Sequence, residues 1–204
     1  MNATRTMPEP GTVADRAREI LTIMHEWPGF ERLERSTRAY RDCWGTYTGY
    51  TTISEFDLER DKDALLAEAL RVLALKTAVW ELSGRDEHAA ELDVSAPVDE
   101  MVHAILARHT VVRDMERATG LELVHMTDRE TFNWRRGDYT HRCYAAAWGE
   151  PPERHWIDAQ ETARRHAILD GKLASIGITS LGRRHNLTFA APEETENGPV
   201  LVPA

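Results

Sequence analysis

The stretch VDEMVHAILARHT, Val98 to Thr110, sets two histidines and two acids among apolar residues. Asp99 and His103 are four positions apart, so a helix brings the carboxylate and the imidazole to one flank. A carboxylate one turn from an imidazole orients the ring and raises its basicity, or joins it in holding a metal. His125, in GLELVHMTD, is the third candidate. Two imidazoles and a carboxylate suit a divalent metal, Fe or Zn, with positions left open for substrate or oxygen. Without a metal the same groups suit general acid–base catalysis. Asp99, His103 and His125 are therefore candidates for both roles, catalytic and metal-ligating.

Whether His125 reaches His103 is a question of chain geometry. A continuous helix from 103 to 119 runs roughly 24 Å, and five extended residues return at most roughly 17 Å. About 7 Å between Cα atoms is left along the axis, which side chains span when the segment doubles straight back. If extended, Leu121, Leu123 and His125 share one side and face the core. His109 falls mid-stripe among Val98, Met101, Val102, Ile105 and Val112, which assigns it to the core.

Two further patterns carry chemistry. EMVH (Glu100, His103) and ELVH (Glu122, His125) both read Glu-x-x-His, the pair of di-iron bundles, with Glu55, Glu59 and Glu161 as candidates for the extra carboxylates. WRRGDYTHR sets Arg135 and Arg136 beside Arg142 and His141. Arginines clamp carboxylate or phosphate bidentately, which makes Arg135 and Arg136 candidates for holding a small anionic substrate. The plainer reading of that stretch is a solvated face paired with nearby acids.

The elements that must position these groups read as helices. VADRAREILTIMHEW carries apolar residues at helical spacing and stops at Pro28-Gly29. FERLERSTRAYRDCW is a shorter helix. DLERDKDALLAEALRVLALKTAVWELSG begins with acids, ends at Gly84 and is apolar over a wide arc, as a central helix would be. A fourth helix starts near SAPVDE and runs to Gly120. TDRE, Thr127 to Glu130, matches a capping box and opens a fifth helix that ends at Gly149. RHWIDAQETARRHAILDGKLASI supplies the last. The expectation is an all-α, single-domain bundle of about six helices over residues 12–190. A disordered lead at 1–11 and a flexible tail at 191–204 complete the reading.

Composition bounds the function. The net charge of −9 argues against nucleic acid as a partner, because phosphate binding needs a basic face. Cys43 and Cys143 form no Cys-x-x-Cys pattern and read as free thiols in a reducing compartment. No run has the length of a signal peptide core or a membrane span, so the expected place is the cytoplasm, without a membrane partner. Lysine stands only at 62, 76 and 172; the arginine bias matches bacterial genomes of high GC content. Walker, Rossmann and Gly-x-Ser-x-Gly patterns are all missing.

Four stretches in order, ALRVLALKTAV, VSAPVDEMVHAIL, GLELVHMTD and YTHRCYAAAWGEPPERHW, resemble the glycine-rich-domain-like proteins of bacteria and plants. That family's pattern runs Phe-Leu-x-Leu-Lys, Val-Asp-x-x-Trp-His, Gly-x-Phe-x-His-His and Tyr…Phe/Trp-Gly-x-x-Pro-Pro. The similarity spans residues 68–156 and lands on Val98, Asp99, His103, Gly120, His125, Tyr144, Gly149 and Trp156. Val102 stands where the pattern has Trp, Val124 where it has the first of two histidines, and the Phe after the glycine is lost. The resemblance implies that Asp99, His103 and His125 belong together, and it brings no activity with it. Two functions stay open: a small enzyme acting on a small anionic substrate, or a non-catalytic interaction or regulatory protein with structural histidines.

Overall fold

A 25-residue helix organises the molecule. The computed structural model describes residues 7–39, 53, 55, 57–125, 133–179 and 184–185. Helix α3, Leu58–Leu82, starts where the Asp57 carboxylate accepts hydrogen bonds from the backbone N–H groups of Glu59 and Arg60. Glu59 and Asp61 in its first turn complement the positive end of the helix dipole. It ends at Ser83, where Gly84 takes a positive φ of 72°. Leu65, Leu66, Ala69, Val72, Leu73, Leu75, Ala78 and Val79 are all buried, so the helix is covered on several sides rather than along one stripe.

The other helices wrap it. Helix α1, Pro10–Glu26, has proline in its first turn and buries Val13, Ala17, Ile20 and Met24 against the core. Helix α2, Phe30–Arg38, buries Leu33 and Thr37. A one-turn helix α4, Glu87–Ala90, is capped by Asp86 and leads into α5, Ala96–Leu106. Helix α6, His109–Thr119, ends at Gly120. Helix α7, Tyr139–Trp148, is capped by Asp138, and α8, Ala159–Ala174, by Asp158. Helix α3 packs against α1, α5 and α7, and α1 also packs against α7. A two-residue antiparallel pair, Ile178–Thr179 with Arg184–His185, follows α8. One apolar cluster, drawing on α1 to α3, α5 to α7 and the segments between them, forms the core.

The protein is all-α, with eight helices among the described residues rather than six. Two differences make up that count, and a third moves a boundary. Helix α4 is a single turn, too short to show a period. The helix expected from SAPVDE to Gly120 breaks at Ala107–Arg108, where Arg108 takes φ −83° and ψ 41°. Alanine and arginine both favour helix, so local propensity does not account for the break; beyond it α6 packs against α2 and α1. The helix expected to open at Thr127 begins at Tyr139; Asn133 to Asp138 form a turn around Gly137, whose φ is 88°. The capping box at Thr127 to Glu130 lies outside the described residues, as do Cys43, residues 1–6 and the tail at 191–204. Helix α1 also begins two residues inside the expected disordered lead, and Met7 packs on the core while the Pro8 carbonyl accepts from the Tyr139 hydroxyl.

Gly120 turns the chain from α6 toward His125 at a φ of 74°, and a Cβ there would meet no atom within 4 Å. Replacing it with alanine therefore costs backbone strain alone, about 1 kcal/mol. Urea unfolding should show a lower midpoint with an unchanged slope; an unchanged midpoint would contradict the left-handed assignment.

Candidate functional site

Asp99 and His103 come from α5, a helix so buried that Val98, Met101, Val102, Ala104 and Ile105 are fully covered. Asp99 itself is buried at 7% exposure, while His103 is half-buried with 21% of its side chain exposed. The i, i+4 spacing places Asp99 Oδ2 3.7 Å from His103 Nε2. His125 arrives from the segment after Gly120, and its Nε2 lies 2.8 Å from His103 Nε2. The two rings meet edge to face, with centroids 4.8 Å apart. One ligating atom from each of Asp99, His103 and His125 falls within 4.8 Å of the others. The structure thus brings together all three residues expected from the sequence.

A fourth residue completes the group. Lys76 of α3 is fully buried, and its Nζ donates to His125 Nδ1 and to Glu91 Oε1, each at 2.9 Å. Burial, the Lys76 charge and the neighbouring His103 together hold the His125 pKa down at about 3. His125 is therefore neutral at ordinary pH. Sequence reasoning overlooked Lys76. A signal was present: a lone lysine amid Leu73, Ala74, Leu75, Ala78 and Val79, on a helix with no polar face there for it to occupy.

Several other candidates are placed elsewhere. His109 is exposed, a correction to its expected core position; the break at Ala107–Arg108 resets the helical phase, so the stripe through Val98 and Ile105 does not continue to it. Glu122 is exposed and accepts from Trp80 Nε1 at 3.0 Å and pairs with Arg85 at 3.2 Å, so the second Glu-x-x-His copy does not converge with the first. Glu55 and Glu59 are exposed, and Glu161 is engaged by Arg164 and Arg165. The four-carboxylate set of a di-iron bundle is not assembled by these residues. Arg135 and Arg136 are exposed at the turn before α7, with Arg136 bridging Glu150 at 2.9 Å and Glu153 at 3.2 Å. Cys143 is buried, and burial pushes its thiol up to about 11, far from a reactive thiolate.

Two buried carboxylates on α3 form a separate polar spine. Glu68 accepts from the Tyr144 hydroxyl at 2.7 Å, Trp156 Nε1 at 2.8 Å and Arg71 at 2.7 Å. The Arg71 guanidinium lies against the Tyr144 and Trp148 rings, 5.8 and 5.6 Å from their centroids. Asp61, fully buried, accepts from Arg154 at 2.5 and 2.8 Å, from the backbone N–H of Asp57 at 2.7 Å, and lies 3.1 Å from His155 Nε2. The Arg154 guanidinium holds the Asp61 carboxyl well below the usual carboxylate range. These groups clamp the segment after α7 onto α3.

No family model, curated protein or solved structure matches this chain. Chemistry must be argued from the site alone. No helix among the described residues is long and apolar enough to cross a membrane.

Proposed function

We propose that the protein is a small helical enzyme that moves a proton on a small anionic substrate, with His103 as base and His125 as hydrogen-bond donor. The observation that carries this reading is the 2.8 Å approach of two imidazoles in unlike surroundings. His103 has the Asp99 carboxylate beside it, whereas His125 has the Lys76 ammonium. His125 is held neutral by burial and by Lys76. Pairs of titratable groups whose environments differ in this way are suited to separate acid and base roles. In the reaction, a substrate oxygen replaces His103 as the acceptor of the His125 N–H. The freed His103 Nε2 takes a proton from the adjacent substrate atom, and the electron pair left behind moves onto that oxygen. His125 stabilises the oxyanion, and Asp99 stabilises the imidazolium.

Arg135 and Arg136 stay the sequence's candidates for the substrate's charge; they stand apart from the histidine pair, and Arg136 would have to exchange Glu150 and Glu153 for it. The cysteine usage supports a cytoplasmic setting. A second reading is favoured by the convergence of three ligand atoms within 4.8 Å: a divalent metal, Fe or Zn, held by Asp99, His103 and His125.

One set of proteins tests both readings. Wild type, His103→Ala and His125→Ala are grown with iron and zinc, purified without a His tag, and assayed for bound metal. The same samples are screened for solvent-deuterium exchange into small carboxylates and phosphate esters that carry a carbonyl. The expected result is a metal-free protein with exchange that falls about ten-fold or more in His103→Ala while circular dichroism is unchanged. Stoichiometric metal lost in both variants would replace the acid–base reading with the metal one. Absence of metal together with no His103-dependent exchange would leave the histidines a structural role.

A further inference from the structure

Lys76 approaches the pair from the side away from His103, and its partners among the described residues are Glu91 Oε1 and His125 Nδ1, each at 2.9 Å. A lysine ammonium has three N–H donors and no acceptor. Its contact with Nδ1 is therefore an N–H donated to a ring lone pair. A neutral imidazole with its lone pair on Nδ1 carries its proton on Nε2. That proton points along the 2.8 Å line to His103 Nε2, which accepts it. The polarity runs one way, from the Lys76–Glu91 ion pair through His125 to His103.

A histidine that binds a metal through Nε2 has the opposite arrangement. Its Nδ1 carries the proton and donates to a carboxylate, a backbone carbonyl or water. Behind His125 stands a group that can only donate. It also carries a positive charge, next to a ring that would have to hold a cation.

We propose that Lys76 is a positioning residue that locks His125 in the Nε2–H form, making the centre a donor–acceptor pair that discriminates against divalent metals. The inference rests on the acid–base reading above and deepens it, since it names what makes His125 the donor and His103 the acceptor.

The test uses the full-length, ¹⁵N-labelled protein at about pH 8, where ordinary histidines are neutral. The imidazole nitrogens are read by NMR, with His125 assigned by its loss in His125→Gln, and zinc is titrated in parallel. The expected wild-type result is His125 protonated at Nε2. Lys76→Arg should retain that pattern, because a guanidinium also only donates. In Lys76→Gln the side-chain carbonyl can accept, so His125 should shift toward Nδ1–H and zinc affinity should rise about ten-fold or more. Wild-type His125 protonated at Nδ1 would overturn the proposal. So would a Lys76→Gln protein with both tautomer and zinc affinity unchanged. Should Lys76→Gln not fold, the wild-type and Lys76→Arg spectra decide: Nε2–H in both supports the lock, and Nδ1–H in either overturns it. None of these readings depends on turnover. An Nε2–H His125 in a protein without exchange activity would sink the catalytic reading and leave the Lys76 assignment standing.

Discussion

Glu68→Ala should lower the unfolding free energy by about 3–5 kcal/mol, the range for removing one partner from a buried charged network. Glu68 is 4% exposed and accepts from three groups at once: the Tyr144 hydroxyl, Trp156 Nε1 and the Arg71 guanidinium. Alanine would leave the buried indole N–H with no acceptor and the tyrosine hydroxyl without its own. An orphaned buried donor costs its desolvation, about 1–3 kcal/mol. Arg71 has 33% of its side chain exposed, so water relieves part of its share. The comparison variant is Tyr144→Phe, which removes one donor to Glu68 and one acceptor of Arg71 but leaves the carboxylate in place, and should cost about 1.5–3 kcal/mol. Urea denaturation of both variants at pH 7 checks the pair. A Glu68→Ala loss no larger than that of Tyr144→Phe would mean that the network relaxes around the missing carboxylate.

Acid should destabilise this protein well above the pH at which carboxylates titrate. The folded His125 has its pKa near 3, held there first by burial and then by Lys76 and His103, against 6.5 for an ordinary histidine. Below pH 6.5 the unfolded chain binds a proton that the folded protein refuses, so the unfolded state gains and stability falls as pH falls. The contribution is complete above pH 6.5 and is lost progressively toward pH 3, on the order of 5 kcal/mol in total. His166, whose pKa is also lowered by burial, adds to the same trend in the wild type. Asp61, another group held well below its usual value, withdraws its stabilisation only as pH falls through the carboxylate range. The decisive quantity is therefore the difference between wild type and His125→Gln in urea unfolding between pH 6.5 and 4.5. It should change by up to about 1.4 kcal/mol per pH unit, the effect of one proton. Parallel curves over that window would show that His125 titrates as an ordinary histidine and that the burial argument fails.

Parts of the molecule were legible in the sequence because they rest on local rules. The i, i+4 relation of Asp99 and His103 needs nothing beyond a helix, and α5 supplies one. The acids and the wide apolar arc marked α3 as central before any packing was known. His125 was harder, since with an uninterrupted helix it meets His103 only if its segment doubles straight back, about 7 Å being left between Cα atoms. The break at Ala107–Arg108 changes the course of the chain between the two and turns His109 outward, and no residue type there announces it. Lys76 gave a local hint without a partner, because Glu91 and His125 lie 15 and 49 positions away. The same holds for Glu68 and Asp61, whose partners are 76 to 94 positions downstream. Helical periodicity says that such an acid interrupts an apolar face. It carries no information on which distant donor will answer it.

The three polar anchors of α3 also impose an order on biosynthesis. Asp61, Glu68 and Lys76 sit two turns apart, within one side of the helix, and each is matched by chain that is made later. A nascent chain ending near residue 120 would hold the complete central helix and most of its apolar partners, yet three charges on it would lack their far-side contacts. Those charges would keep only their near partners, Glu91 for Lys76, Arg71 for Glu68 and the Asp57 N–H for Asp61, which makes closing the core over them more costly. His125 answers the third anchor first. Arg154, His155 and Trp156 answer the other two last, so the full set of buried pairs can exist only once that short stretch has been made.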